Sequence, residues 1–128
     1  IIVFHAGLDL GVPGETKCTP VRAKKMLSAI GYDKIVLAHM GGFKYWEDVL
    51  QHLAGLNVYF DTSFAFGRGD EDLFIKIFNA HGVDKFLFAT DAPWGNPSED
   101  IEYINKFGFD SNQLESIFHK NAEKLLDL

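Results

Sequence analysis

Four short runs along the chain are apolar, β-branched or aromatic throughout: Ile1-Ile2-Val3-Phe4, Ile35-Val36-Leu37-Ala38, Val58-Tyr59-Phe60 and Phe86-Leu87-Phe88-Ala89. None alternates polar with apolar residues, which is how strands covered on both faces read in a parallel sheet. The segments between them repeat at helical spacing. Ala23, Met26, Leu27 and Ile30 fall at i, i+3, i+4 and i+7, and Trp46, Val49, Leu50 and Leu53 repeat that stripe. Leu73, Phe74, Ile77 and Phe78 supply a third.

Helix punctuation agrees with this division. Thr19-Pro20 reads as an N-cap followed by a first-turn proline, and Asn96 stands three residues before Glu99 as a capping residue does. Gly31, Gly55 and Gly82 sit where left-handed residues close helices. Two further helical stretches follow the fourth run, one around Ile101, Tyr103 and Ile104, the other carrying Leu114, Ile117, Phe118, Ala122 and Leu125. The predicted order is β-α-β-α-β-α-β-α-α in a single unit spanning 1–128, with no linker or low-complexity segment. Strand–helix alternation demands right-handed crossovers and a parallel sheet, either open and doubly wound or part of a (β/α)8 barrel. Four strands are too few to close a barrel. The chain opens directly on an apolar strand, without an initiator Met or a polar lead-in, and so reads as one entered midway.

Composition narrows the function classes. With 128 residues, 47% apolar and 23% charged, the sequence is that of an ordinary globular domain, which excludes disordered, collagen-like and coiled-coil classes. A net charge of -6 and no basic cluster longer than Lys24-Lys25 leave no footprint for nucleic acid or an anionic membrane. No apolar run approaches the ~18 residues of a membrane span. A lone cysteine, Cys18, offers neither an internal disulfide nor a zinc knuckle, so a cytoplasmic location is expected. The expected partner is a small-molecule substrate.

Candidate chemistry lies at the strand ends. His5, His39, Asp61 and Asp91 each follow or close one of the four runs, and in a parallel sheet these positions converge on one rim. Imidazole and carboxylate are the ligands expected for zinc and related divalent ions, which lower the pKa of a bound water toward ~7. Asp91 is placed to touch both metal and water. His39 serves either as a ligand or as the group that polarises the substrate and donates a proton to it. Asp61 and Ser63 read more simply as polar residues that close a strand, and His52, His81 and His119 as surface or capping groups. Trp94 and Phe43 suit a pocket wall and core cover equally. The glycine-rich stretch from Gly7 to Gly14 lacks the spacing of a phosphate loop and is taken as a long active-site loop. No G-x-S-x-G elbow supports serine catalysis.

These residues resemble the amidohydrolase-2 branch of the metal-dependent amidohydrolase superfamily. The likeness rests on Phe4-His5-Ala6-Gly7, Ala38-His39-Met40-Gly41-Gly42, Tyr59-Phe60-Asp61-Thr62-Ser63, Phe86 through Trp94, and Asn121 through Leu126. It implies the C-terminal half of a TIM barrel, strands five to eight plus a terminal helix. It also implies His5 and Asp91 as metal ligands, His39 at the end of strand six, and Asp91 as proton carrier. Asn121-Ala122 then packs the terminal helix. The implied activity is hydrolysis or decarboxylation of a small polar substrate, with a divalent ion, zinc foremost, as cofactor; His5, His39 and Asp91 are the metal-site candidates and Asp91 and His39 the catalytic ones. The His-x-His of the family's first strand is absent here, so the chain is expected to self-associate or to dock onto a missing N-terminal half-barrel. The alternative is a non-catalytic half-barrel that binds a partner chain or small ligand.

Overall fold

The computed structural model describes residues Ile1–Leu128. Four parallel strands, β1 (Ile2–Phe4), β2 (Ile35–Leu37), β3 (Tyr59–Asp61) and β4 (Phe86–Leu87), form one sheet in the order β1-β2-β3-β4. The expected runs 1–4, 35–38, 58–60 and 86–89 are thus each trimmed at one end, and β3 extends one residue onto Asp61. Between the strands lie α1 (Pro20–Ile30), α2 (Trp46–His52) and α3 (Glu71–His81), and after β4 come α4 (Pro97–Lys106), α5 (Ser111–Glu115) and α6 (Asn121–Leu126). A π-helical turn over Ser116–Lys120 joins α5 to α6. No helix is long and apolar enough to cross a membrane.

Sequential strand order decides between the two parallel architectures. A doubly wound sheet reverses its strand order at a switch point so that helices cover both faces. Here order and sequence coincide, and the large core packs α1, α2 and α3 against one face. Ile35, Leu37, Phe60 and Phe86 point into that core with Ala23, Val49, Phe74 and Ile77 of the helices. The fold is therefore part of a (β/α)8 barrel, four parallel strand–helix units with a terminal helix. The opposite face, which would line a barrel, carries Val36 and Tyr59 packed with Leu125 of α6.

Local signals explain the helix ends. Thr19 accepts from the Arg22 N–H at the start of α1, and Gly31, φ 58°, closes it in the left-handed conformation. Asp70 and Asn96 cap α3 and α4, and Asp110 forms a reciprocal capping box with Gln113. All four residues of the third stripe are buried, whereas the first stripe ends early, because Ile30 is exposed.

One expectation is corrected at the sheet edges. β2 and β3 are buried on both faces, but Ile2 and Val3 of β1 are exposed, Val3 by 63%, because β1 pairs only with β2 and Leu125 of α6 packs on Val36 and Tyr59 of the next two strands. The outer edge of β4 is covered. The Phe88 N–H donates to the Ile117 carbonyl, and the Asn121 side chain donates to the carbonyls of Val83 and Phe86, so the terminal helical run satisfies the outer edge of β4. This is how Asn121 packs the last helix; the free edge belongs to β1.

Candidate active site

A cavity of about 470 Å³ opens at the carboxyl rim of the sheet, and His5, His39 and Asp91 all contribute to its wall. Its other surfaces are largely apolar: Phe43, Phe64 and Trp94, with Leu8 and Leu10 from the loop after β1. Phe43 is at once core and wall, while Trp94 stands 72% exposed on the rim. Asp61 lies behind His39 and does not line the cavity. The long loop from Gly7 runs over the site, and a side chain at Gly7 would meet the Phe43 backbone at 2.2 Å, so the two segments touch because that residue is glycine.

Backbone strain is concentrated here. His39 (φ 62°), Met40 (φ 56°), Phe64 (φ 52°) and Asp91 (φ 59°) are non-glycine residues in the left-handed region, each costing on the order of 1 kcal/mol or more. The turn at His39-Met40 persists because buried bonds hold it. The Met40 N–H donates to the Asp61 carbonyl (2.7 Å), the His39 N–H to Asp61 Oδ1 (2.9 Å), and the Trp46 indole to the His39 carbonyl (3.0 Å). Its effect is to turn the buried His39 ring toward His5.

Hydrogen-bond chemistry fixes which nitrogen does what. His39 Nδ1 lies 2.9 Å from the Ser63 carbonyl, which only accepts, so Nδ1 carries the hydrogen. His39 Nε2 then accepts from His5 Nδ1 at 3.0 Å, with the two rings 4.8 Å apart. His5 is exposed, and its Nε2 lies 3.3 Å from the Leu8 carbonyl. With one hydrogen on each ring, a neutral pair fills the Ser63 and inter-ring bonds and leaves a lone pair on His5 Nε2. A proton added at that nitrogen completes the bond to Leu8. The two rings form one hydrogen-bonded pair whose open position is on His5.

The donors do not assemble a metal site. No three His, Cys, Asp or Glu side chains approach closely enough to hold an ion. His39, expected within the ligand set, has both ring nitrogens engaged, one by Ser63 and one by His5. Of the three expected ligands, only His5 and Asp91 keep an atom open to the cavity, and a catalytic zinc takes three protein ligands.

Several residues matter more than their sequence context suggested. Asp61 and Ser63 are buried and organise His39, and the polar Asp61-Thr62-Ser63 trio at a strand end was the available signal. His81, expected at the surface or as a cap, is buried. Its Nε2–H donates to the Val58 carbonyl (2.9 Å), and its Nδ1 accepts from the Gly55 N–H (3.1 Å). Burial pushes its pKa down to about 4. Arg68 lies 3.7 Å over the Phe64 ring and braces that wall from behind. Asp100 is buried with Oδ2 unpartnered, and desolvation raises its pKa against the pull of Arg68. Burial likewise pushes the Cys18 thiol up, which makes it a poor nucleophile.

A family model described as amidohydrolase matches residues 26–128. No curated protein matches the sequence. Among solved structures, an amidohydrolase from Burkholderia multivorans with bound zinc is similar at a TM-score of 0.71 and 14% identity, covering 85% of this chain and 49% of that one. A dihydroxybenzoic acid decarboxylase from Polaromonas sp. JS666 with bound manganese is similar at 0.60 and 21%, covering 85% and 40%. A 5-carboxyvanillate decarboxylase from Sphingomonas paucimobilis is similar at 0.58 and 16%, covering 84% and 39%. The chain spans less than half the length of each of the three, and at these identities the likeness concerns the fold.

Proposed function

This chain belongs to the amidohydrolase family, and from that premise we propose that it carries the acid–base part of a site for hydrolysing or decarboxylating a small polar substrate. The observation that carries the proposal is the 3.0 Å hydrogen bond between His5 and His39, set at the mouth of a cavity whose wall also includes Asp91. His5 Nε2 accepts a proton from the nucleophile or substrate, and the charge is shared with His39 through the inter-ring bond. His39 is held by its Nδ1–H on Ser63, so the pair returns the proton from the same position. Asp91, exposed on the same wall, is the second proton-moving group. Phe43, Phe64 and Trp94 suit a planar body, and the apolar lining strengthens the polar contacts by excluding water.

A divalent ion, zinc foremost, is the cofactor this reading favours, and two of the similar structures hold zinc or manganese. Such an ion supplies an acidic bound water. The donors present do not close a three-ligand site, and His5 and Asp91 are the two expected ligands left open to an ion.

The test is a panel of 2,6-dihydroxybenzoate, 5-carboxyvanillate and 2-pyrone-4,6-dicarboxylate, the compounds acted on by structural neighbours, assayed with added Zn²⁺ or Mn²⁺. Turnover reduced about 100-fold or more by His39→Ala, and comparably by Asp91→Asn, supports the proposal. Turnover indifferent to both substitutions refutes it. The missing three-donor cluster favours a second reading, a half-barrel that binds a ligand without transforming it. Saturable binding of a panel compound with no product, at every metal concentration, would select that reading.

A further inference from the structure

We infer that Asp61 and Ser63 are positioning residues of this site, a carboxylate–hydroxyl clamp that fixes both the tautomer and the orientation of His39. The inference rests on the reading of the His5–His39 pair as the base. Asp61 closes β3, and its side chain is only 9% exposed. A single oxygen, Oδ1, accepts three hydrogen bonds: from the His39 N–H (2.9 Å), the Ser63 N–H (3.0 Å) and the Ser63 hydroxyl (2.6 Å). The last is the shortest contact in the cluster, as expected for a hydroxyl donating to a carboxylate.

That bond determines what His39 sees. A serine hydroxyl has one hydrogen, and Asp61 takes it, so Ser63 Oγ turns only lone pairs toward His39 Nδ1 at 3.0 Å. The Ser63 carbonyl at 2.9 Å likewise accepts. Both neighbours of Nδ1 therefore demand a hydrogen on it, and the lone pair of the neutral ring is forced onto Nε2, where His5 donates. Were the hydroxyl rotated to donate to Nδ1, the charge-assisted bond to Asp61 would be lost and the ring would switch tautomer, setting the Nδ1 lone pair against the Ser63 carbonyl, acceptor against acceptor. A strand-closing role accounts for the two backbone donors on Asp61. It does not account for a side-chain hydroxyl fixed against an imidazole from another strand end. The same oxygen also holds the His39 N–H in its left-handed turn, so one carboxylate sets both the backbone and the ring of the base.

The clamp is testable by long-range ¹H–¹⁵N correlation of the full chain labelled at histidine, at a pH where the rings are neutral. The expected spectrum has His39 as the Nδ1–H tautomer. Ser63→Ala keeps the carbonyl but removes the hydroxyl acceptor, and should shift the tautomer ratio about fivefold toward Nε2–H, the effect of one hydrogen bond. Ser63→Thr should restore the ratio. Asp61→Asn, nearly isosteric, weakens the pull on the hydroxyl and should move the ratio the same way as Ser63→Ala. A wild-type Nε2–H spectrum, or spectra of Ser63→Ala and Asp61→Asn that superimpose on wild type, would overturn the inference. The measurement needs no turnover, so a clamped His39 in a protein whose activity ignores His39→Ala would sustain this inference while removing the function proposed above.

Discussion

Acidification should unfold this chain through His81 before it affects most surface groups. The ring stacks on Phe60 at 3.9 Å, donates from Nε2 to Val58 and accepts at Nδ1 from Gly55. Both nitrogens are occupied in the neutral form. A second ring hydrogen would point Nδ1–H at the Gly55 N–H, donor against donor, inside a buried layer. Burial accordingly lowers the folded-state pKa from 6.5 to about 4. Between those values the unfolded chain binds the proton and the folded chain does not, so stability is full above pH 6.5 and drains away as pH falls toward 4. At about 1.4 kcal/mol per pH unit the loss is roughly 3 kcal/mol, a large share of a small domain's stability. Carboxylates titrate in the same window, so the difference between wild type and a non-titrating variant is the informative quantity. Urea unfolding of wild type and His81→Gln at pH 7.5, 6, 5 and 4.5 should give a variant less stable by about 1–2 kcal/mol at pH 7.5, from lost stacking and burial. The gap should close or reverse by pH 4.5. Parallel stability–pH curves for the two proteins, or a His81 NMR titration midpoint near 6.5, would refute the reasoning.

Three further outcomes are expected. Asn121→Ala leaves the Val83 and Phe86 carbonyls without their side-chain donor and should cost about 2–4 kcal/mol, read as a lower urea midpoint, with amide exchange accelerating first around β4. Asp100→Asn removes a buried charge with an unpartnered oxygen. Its raised folded pKa means that stability falls as pH rises from the ordinary aspartate value to the folded one, so the variant should have the higher urea midpoint at pH 7, and the advantage should vanish near pH 3. Self-association through the free edge of β1, expected from exposed Ile2 and Val3 on a strand paired along one edge only, should appear as a concentration-dependent mass in analytical ultracentrifugation and should be suppressed by Val3→Lys; a wild-type monomer at all concentrations would refute it.

The parts of this molecule that were legible in the sequence are those decided by neighbours a few residues apart. Parallel strands followed from unbroken apolar runs such as Ile35-Val36-Leu37, and α3 from a stripe every member of which proved buried. His5, His39 and Asp91 reached one cavity because strand ends in a parallel sheet share a rim, a consequence of topology that spacing alone conveys. His81 also lay within reach. It continues the stripe of Phe74, Ile77 and Phe78 at i+7, i+4 and i+3, so its burial was written in the periodicity, although its partners Gly55 and Val58 come from a distant segment. The contact between the two imidazoles was not legible in the same way. It requires His39 and Met40 to turn left-handed in succession, a conformation neither residue type announces, and that turn exists only because Asp61 reaches back from the next strand to hold it. Residue types at the rim suggested three independent groups, whereas a hydrogen bond joins two of them in one pair. The chemistry open to a strand-end histidine depends on which of its nitrogens the neighbouring strand has already claimed.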